Sequence, residues 1–251
     1  MPRYLFDNKA PQAAGRFSVL ESRYDPASRK ALERTGIGPG RRCLEIGGGG
    51  GSLGEWLEAR VGPDGEVTVT DLEPAHPRVL RHDITRDPLP SGAFDLIHAR
   101  LVLIHLPERL RVLERLVEAL RPGGWLVLEE FDCTWTPVLA APDDSAAALF
   151  EQVHGSLMAL LEKAGAEPRW GRQVVGAMLR AGLADVSATT YAESWQGGGE
   201  GIRLHRVNVE QVAGTLDLPA TDLDRFLALL DDPSFVVNSY PLVSARGRRT
   251  S

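Results

Sequence analysis

Cys43-Leu44-Glu45-Ile46-Gly47-Gly48-Gly49-Gly50-Gly51-Ser52-Leu53 is the stretch of sequence that decides the fold. A short apolar run that is typical of a buried strand leads into five consecutive glycines, and a helical pattern follows over residues 52–60. Glycine is needed where the backbone must turn sharply and approach a ligand without a side chain in between. The stretch therefore predicts a strand, a ligand-binding loop and a helix, in that order.

The glycine run fits two classes of cofactor. Gly49, Gly51 and Gly54 match the G-x-G-x-x-G pattern of dinucleotide-binding loops. In another frame, Glu45 and Gly47 open the pattern E-x-G-x-G-x-G. An acidic residue at the end of the strand would repel a pyrophosphate, whereas it can help to organise the loop around a cationic ligand. Glu45 therefore favours a cationic ligand, and NAD stays open as the alternative.

A carboxylate follows the next predicted strand, over residues 67–70. Asp71 lies 24 positions after Gly47, at the expected carboxyl edge of the neighbouring strand. A carboxylate accepts hydrogen bonds from both hydroxyls of a ribose. Asp71 therefore predicts an adenosine-containing ligand without deciding between the two cofactor classes.

Short apolar runs alternate with helical or loop segments from residue 42 onward, which predicts an α/β fold with a mainly parallel sheet. The predicted strands cover residues 42–46, 67–70, 79–82, 94–98, 125–130, 184–191 and 238–246. A crossover helix is predicted over residues 107–120, where leucines recur on one face. Between the second and third strands, Pro74 and Pro77 predict that a helix is missing or reduced to one turn.

The remaining segments are predicted to surround this core within a single domain, 1–251. Residues 10–35 indicate one or two helices, with a break at Tyr24-Asp25-Pro26, inside an N-terminal helical lid over 1–40. Residues 41–131 form the predicted cofactor-binding core. Insertions at 132–170 and 192–236 are assigned to a small helical cap over the substrate, with helices at 145–163, 207–214 and 221–230.

Composition narrows the class of protein. The chain has 251 residues, 43% of them hydrophobic, and a formal net charge of -6, which gives no broad positive field for a nucleic acid. Cys43 and Cys133 lie far apart without paired Cys or His spacing, so we expect neither a zinc site nor any other metal. No signal peptide and no apolar run of about 18 residues is found, so we expect a cytoplasmic protein without a membrane span.

Three later motifs extend the glycine loop into a series. They are Arg81-His82-Asp83-Ile84, the run from Phe94 to Pro107, and Leu120-Arg121-Pro122-Gly123-Gly124-Trp125-Leu126. With the E-x-G-x-G-x-G loop, the series resembles class I S-adenosylmethionine (SAM) dependent methyltransferases, and most of all bacterial small-molecule methyltransferases related to the ubiquinone and menaquinone C-methyltransferase group. The resemblance implies a Rossmann-like sheet, mainly parallel with an antiparallel last strand, and SAM as cofactor with S-adenosylhomocysteine as product.

The resemblance also implies cofactor-binding residues. Asp71 would hold the ribose, and Asp83 would accept a hydrogen bond from the adenine amino group. The other cofactor-binding residues carried over in this way are Glu45, Gly47, Gly49, Gly51, Leu72, Ile84 and Ala99.

Candidate bases should lie near the carboxyl ends of the strands, because methyl transfer to a phenol, an acid or an activated carbon needs a proton acceptor. His105, in the loop after the fourth strand, is the first candidate. His154, on the predicted cap helix, and Glu130, at the end of the fifth strand, are the others. His98, inside the fourth strand, is predicted to be a packed core residue.

Methylation of a small molecule, in secondary metabolism, is the leading hypothesis, because the insertions would enclose a pocket. Methylation of a peptide or protein is the alternative and would need an open groove. An NAD-dependent oxidoreductase and a SAM-binding protein without methyl transfer are further alternatives. We expect a small-molecule partner and no nucleic acid.

Overall fold

A computed structural model describes residues 5–6, 13–74 and 76–250 of the chain. Its main sheet has seven strands in the order β3-β2-β1-β4-β5-β10-β7. The strands are β1 (Arg42–Ile46), β2 (Glu66–Asp71), β3 (Leu80–Arg81), β4 (Phe94–Arg100), β5 (Leu120–Phe131), β7 (Ala184–Tyr191) and β10 (Leu242–Arg248). Strands β1 to β5 pair in parallel, and β10 is antiparallel to both β5 and β7. The predicted sheet, with its antiparallel last strand, is confirmed.

Helices cover both faces of this sheet. They are α1 (Ala13–Glu33), α2 (Ser52–Val61), α3 (Arg109–Ala119), α4 (Asp144–Lys163), α5 (Trp170–Arg180), α6 (Arg203–Val212) and α7 (Ala220–Leu229). Helix α2 packs on β1 and β2, whereas α5 packs on β5, β7 and β10. The chain leaves β1 toward β2 on one side and returns through β4 on the other, so a crevice opens where the strand order reverses.

The first helix is longer than predicted, because the break expected at Tyr24-Asp25-Pro26 does not occur. Helix α1 runs through Pro26 without interruption. Tertiary contacts of the two residues before the proline hold the helix: the buried Tyr24 hydroxyl donates to the Tyr240 carbonyl at 2.9 Å, and Asp25 accepts from Arg100 at 2.8 Å. Residues 10–12 of the predicted segment lie outside the described residues.

The cap is only partly helical, which corrects the prediction. Its helices α4 and α7 begin within one residue of their predicted starts, and α6 begins four residues earlier than predicted. A second sheet was missed, in the order β6-β9-β8, with strands β6 (Val138–Ala140), β8 (Ser194–Gln196) and β9 (Val236–Asn238). Each strand has three residues, too few to show an alternating pattern.

Three further features of the element order bear on the site. The predicted strand 238–246 is two strands, since β9 ends at Asn238 and β10 begins at Leu242, after Pro241. Helix α5, which sequence analysis did not assign, connects the cap to the core. Between β2 and β3, the described residues 72–74 and 76–79 contain no helix, as predicted.

Within the described part of the chain, no helix combines the length and apolar character needed to cross a membrane.

Candidate active site

The glycine loop follows β1 at the carboxyl edge of the sheet. Gly47 and Gly49 have positive φ angles of 72° and 50°, which side chains other than glycine rarely adopt. A Cβ at Gly47 would lie 2.3 Å from Val102 Cγ2, and a Cβ at Gly50 would lie 2.1 Å from Glu21 Oε1. Side chains would therefore fill the cradle that the bare backbone leaves open.

Asp71 ends β2 directly beside this loop. Its Oδ1 accepts a hydrogen bond from the Glu73 amide at 2.9 Å, and its Oδ2 accepts from the Gly49 amide at 3.3 Å. The glycine loop and the ribose candidate are thus brought together, as the sequence predicts. Gly54 lies behind the loop, where a Cβ would come within 2.6 Å of Val69, so this glycine allows α2 to pack closely on β2.

Asp83 follows β3 on the far side of the crevice. Its Oδ1 accepts from both the amide and the hydroxyl of Thr85, at 2.9 and 2.6 Å. Although partial burial opposes the shift, these hydrogen bonds lower the pKa of Asp83, so a carboxylate is maintained there. The neighbouring Ile84 is buried and supplies an apolar surface.

These residues line one cleft of about 990 Å³ at the carboxyl ends of β1, β2 and β4. Of the predicted cofactor-binding residues, the lining includes Glu45, Gly47, Gly49, Asp71, Leu72, Asp83 and Ile84.

Gly51 and Ala99 do not line the cleft. Gly51 is the N-cap residue before α2, and Ala99 is fully buried inside β4. Ala99 lies away from the cleft because β4 continues to Arg100, two residues beyond its predicted end. Arg100, Leu101 and Val102 line the cleft in place of Ala99.

Helix α1 supplies a wall of the cleft that sequence analysis predicted only as a lid. Arg16, Phe17, Leu20 and Glu21 all line it. The signal was present in the sequence, because Arg16 and Leu20, like Phe17 and Glu21, lie four residues apart and share a helix face. Burial, and then the neighbouring Asp25, raise the pKa of Glu21.

His105 lies where this cleft meets a second, smaller chamber. A 3-10 turn, Leu103–His105, places it after β4, and it lines both cavities. The Phe6 ring packs edge-on against the imidazole, with centroids 6.3 Å apart. Burial, reinforced by the cations Arg16 and Arg109, lowers the pKa of His105 to about 3, so the imidazole is neutral at physiological pH.

The second chamber is apolar and has a volume of about 50 Å³. Helices α4 and α6 of the cap and α1 enclose it, together with Phe131 at the end of β5. Tyr240 and Asn208 contribute polar groups to its wall. The buried Tyr240 hydroxyl faces the Asn208 side chain, and among the described residues it has no hydrogen-bond partner at bonding geometry. Arg16, Leu20, Leu101 and His105 border both cavities.

Glu130 does not line either cavity, contrary to the expected substrate contact. Its carboxylate is fully buried and accepts hydrogen bonds from the amides of Leu103 and Ile104, at 2.9 and 3.3 Å. Burial raises the pKa of Glu130 to about 8, although these amides oppose the shift. The residue therefore fixes the turn that carries His105.

His154 is also turned away from both cavities. Its Nε2 lies 2.8 Å from the Cys133 carbonyl oxygen, to which it donates, and its ring stacks on Phe150. Burial lowers the pKa of His154. This histidine joins the cap helix α4 to the loop after β5, which differs from the catalytic role expected of it.

The cleft fits the groups of SAM. The glycine cradle accommodates a ligand that lies against bare backbone, and Asp71 supplies the acceptor for ribose hydroxyls. Glu45 is buried at the cleft, and its Oε2 has no hydrogen-bond partner among the described residues, so this carboxyl oxygen is available to a ligand. A ligand with sulfonium and ammonium groups would compensate the charge of an ionised Glu45.

The model of a family described as "Methyltransferase domain" matches residues 19–188. This chain belongs to that methyltransferase family. The match covers β1 to β5, α1 from Val19 onward and all of the described cleft lining except Arg16 and Phe17. The resemblance drawn from the motifs is thereby confirmed, and the domain is a SAM-dependent methyltransferase domain. The dinucleotide interpretation of Gly49, Gly51 and Gly54, and with it an NAD-dependent oxidoreductase, is set aside.

Relatives and solved structures agree with the family. "Methyltransferase str2" of Strobilurus tenacellus is 30% identical over 54% of this chain and 50% of its own length. The ubiquinone/menaquinone biosynthesis C-methyltransferase UbiE of Laribacter hongkongensis is 28% identical over 53% of this chain and 65% of its own length. The chain thus spans about half to two thirds of these relatives.

A structural neighbour supports the fold over nearly the whole chain. It is a Haemonchus contortus phosphoethanolamine N-methyltransferase 2 in complex with phosphomonomethylethanolamine and S-adenosylhomocysteine. The TM-score is 0.57 at 13% sequence identity, and the match covers 99% of this chain and 61% of that one. At this identity the likeness concerns the fold alone.

Proposed function

We propose that this chain transfers the methyl group of SAM to a small, mainly apolar molecule, in secondary metabolism. The observation that carries the proposal is the apolar chamber under the cap, which adjoins the cofactor cleft at His105 and Leu101. An acceptor in the chamber and a methyl donor in the cleft would meet at this junction. When bound, SAM supplies an electrophilic methyl group on its sulfonium.

The chamber walls favour an apolar acceptor with one hydrogen-bonding oxygen. Most of the lining is aliphatic or aromatic, including Phe131, Leu157 and Met158. The buried Tyr240 hydroxyl faces Asn208 but makes no hydrogen bond of good geometry with the described residues, so an acceptor oxygen that takes its hydrogen bond would relieve a desolvated donor. Hydroxyl, phenol and carbonyl compounds with an apolar body fit these requirements.

The rate acceleration would come mainly from alignment in a dry site. Methyl transfer is an in-line displacement, so holding the acceptor close and excluding water supplies most of the effect. His105 is the proposed proton acceptor, because its neutral imidazole borders both cavities. An anionic acceptor beside it would favour the imidazolium and raise the low pKa of His105 toward its ordinary value.

The small size of the chamber favours a small molecule over a peptide. Its volume of about 50 Å³ is below the roughly 300 Å³ at which pockets for drug-sized ligands begin. Helices α4 and α6 would have to move apart for a complete acceptor to fit inside it. A peptide would need a long open groove, whereas the described residues at this position form a small apolar chamber.

Calorimetric titration with S-adenosylhomocysteine, with NAD as the comparison, tests the cofactor. We expect micromolar binding of S-adenosylhomocysteine alone. The acceptor is then tested with tritiated methyl-SAM and a panel of phenols, hydroxy acids and quinols, with a mixture of arginine-, lysine- and glutamate-containing peptides beside it. Label in the small molecules supports the proposal. Label in peptides alone, or consumption of SAM without S-adenosylhomocysteine, would overturn it.

A further inference from the structure

A row of polar side chains crosses four strands of the sheet beneath the glycine loop. Glu45 of β1 and His98 of β4 are cross-strand neighbours, and Glu129 of β5 and Ser244 of β10 are another such pair. All four side chains are buried, with at most 5% of their surface exposed. Burial of so many ionisable groups is costly unless the groups compensate one another.

His98 stands between the two carboxylates of this row. Its Nε2 lies 3.0 Å from Glu129 Oε2, and its Nδ1 lies 3.8 Å from Glu45 Oε1. The Ser244 hydroxyl donates to the other oxygen of Glu129. Burial opposes a charge on His98, but the two carboxylates outweigh it and raise its pKa to about 9. The sequence predicts that His98 is packed in the core, and its complete burial agrees with this. The sequence did not predict the raised pKa of its imidazole.

With both carboxyl groups ionised and His98 protonated, the row carries one net negative charge. The shorter contact pairs the imidazolium with Glu129, which leaves that charge on Glu45. The neighbouring Arg100 of the same face is engaged by Asp25 of α1 at 2.8 Å, and Glu21 of α1 is also acidic. Glu45 lines the cleft, and its Oε2 has no hydrogen-bond partner among the described residues.

We propose that His98 is a positioning residue for SAM binding. It compensates the buried charge of Glu129 and holds Glu45 beneath the glycine loop, so that the negative charge of Glu45 is available to the cationic groups of the cofactor. The role is exerted through Glu45, since His98 is fully buried and does not line the cleft. The proposal concerns the cofactor and is independent of the identity of the acceptor.

A double-mutant cycle on SAM affinity separates this role from ordinary core packing. Calorimetry would measure the Kd of SAM for the wild type, His98→Gln, Glu45→Gln and the double variant. We expect each single change to weaken binding about tenfold, and the double variant to bind no more than about twofold more weakly than Glu45→Gln alone, because both act through one charge. Losses that simply add, or wild-type affinity in His98→Gln, would overturn the proposal.

Two controls keep the test decisive. Ile97→Val removes a methyl group from the fully buried neighbour of His98 on the same strand, so it should lower the melting temperature while leaving the Kd of SAM unchanged. If His98→Gln does not fold, nitrogen-15 NMR of histidine-labelled wild-type protein decides the question. Two protonated ring nitrogens at pH 7.5 are the expected result, and a neutral imidazole would refute the role.

Discussion

At the scale of single residues, Asp71 provides a direct test of the cofactor geometry. Its carboxylate is oriented by the amides of Glu73 and Gly49 and lines the cleft. Asp71→Ala should weaken S-adenosylhomocysteine binding roughly 10- to 100-fold, as loss of charge-assisted hydrogen bonds does. Asp64→Ala, in the exposed turn before β2, is the control and should bind as the wild type does. Unchanged affinity in Asp71→Ala would remove the ribose assignment.

His105 allows a test of the proton-transfer step at the same scale. Once an acceptor is found, His105→Ala should lower kcat on the order of a hundredfold, while the Kd of S-adenosylhomocysteine stays within about twofold. Since the pKa of His105 in the free enzyme is lowered to about 3, kcat/KM of the wild type should show no loss near pH 6.5 from protonation of this imidazole. Equal kcat in the variant would exclude His105 as a base.

At the residue level, the sequence predicts positions best where strand, turn and carboxylate follow one another along the chain. The glycine loop and Asp71 lie together in one cleft as expected, and their binding of the cofactor stays a prediction. The position of Glu130 was not predicted, because its carboxyl oxygens accept hydrogen bonds from backbone amides that lie 26 and 27 residues away, in the turn after β4. Likewise, no local pattern shows that His98 stands between carboxylates of two other strands.

At the scale of elements, the turn Leu103–His105 depends on the buried carboxyl group of Glu130. Both oxygens of Glu130 accept from backbone amides of this turn. In Glu130→Gln, the amide nitrogen would face a backbone N–H, so one hydrogen bond would be replaced by two opposed donors. We expect kcat to fall on the order of tenfold through misplacement of His105, with little change in S-adenosylhomocysteine affinity.

The matched control for this prediction is Glu114→Gln on the exposed face of α3. It makes the same chemical change without touching the turn, so kcat should equal that of the wild type. A variant at Glu130 that kept full kcat would show that the turn holds His105 without the carboxylate. A large loss of S-adenosylhomocysteine affinity would instead place Glu130 in cofactor binding.

Elements were predicted well where one face is periodic and poorly where pairing is distant. Helices α2, α4 and α7 have apolar faces that the sequence shows directly. The three-residue strands β6, β8 and β9 gain their stability from partners up to about 100 residues away. The break predicted at Pro26 does not occur, because Tyr24 anchors α1 to the loop before β10 and Asp25 anchors it to β4.

At the scale of the whole molecule, buried histidines couple stability to pH in opposite directions. Burial lowers the pKa of His105 and that of His205 to about 3. Below pH 6.5, these two histidines therefore bind protons in the unfolded chain but not in the folded chain. Stability should therefore fall as the pH decreases from about 6.5 toward 3. His98 behaves in the opposite way, because its pKa is raised to about 9.

The decrease of stability at alkaline pH follows from the same linkage between proton binding and folding. The stabilisation from protonated His98 is complete below pH 6.5 and is lost as the pH rises through about 9. Glu130, whose pKa is raised to about 8, adds to this loss, since the unfolded chain gives up its proton from about pH 4.5 and the folded chain retains it. The melting temperature should therefore have a maximum near pH 6.5 and decline on both sides.

Scanning fluorimetry between pH 4 and 10, at constant ionic strength, measures this curve. The decisive comparison is with Glu130→Gln, which cannot titrate: its melting temperature should fall less steeply than that of the wild type between pH 6.5 and 8, and rise more steeply between pH 4.5 and 6.5. Parallel curves for the two proteins would mean that Glu130 is already ionised in the folded state, despite its burial. A flat wild-type curve from pH 6.5 to 9 would contradict the charge assigned to His98, and with it the compensation of Glu129 on which the cofactor-facing charge of Glu45 depends.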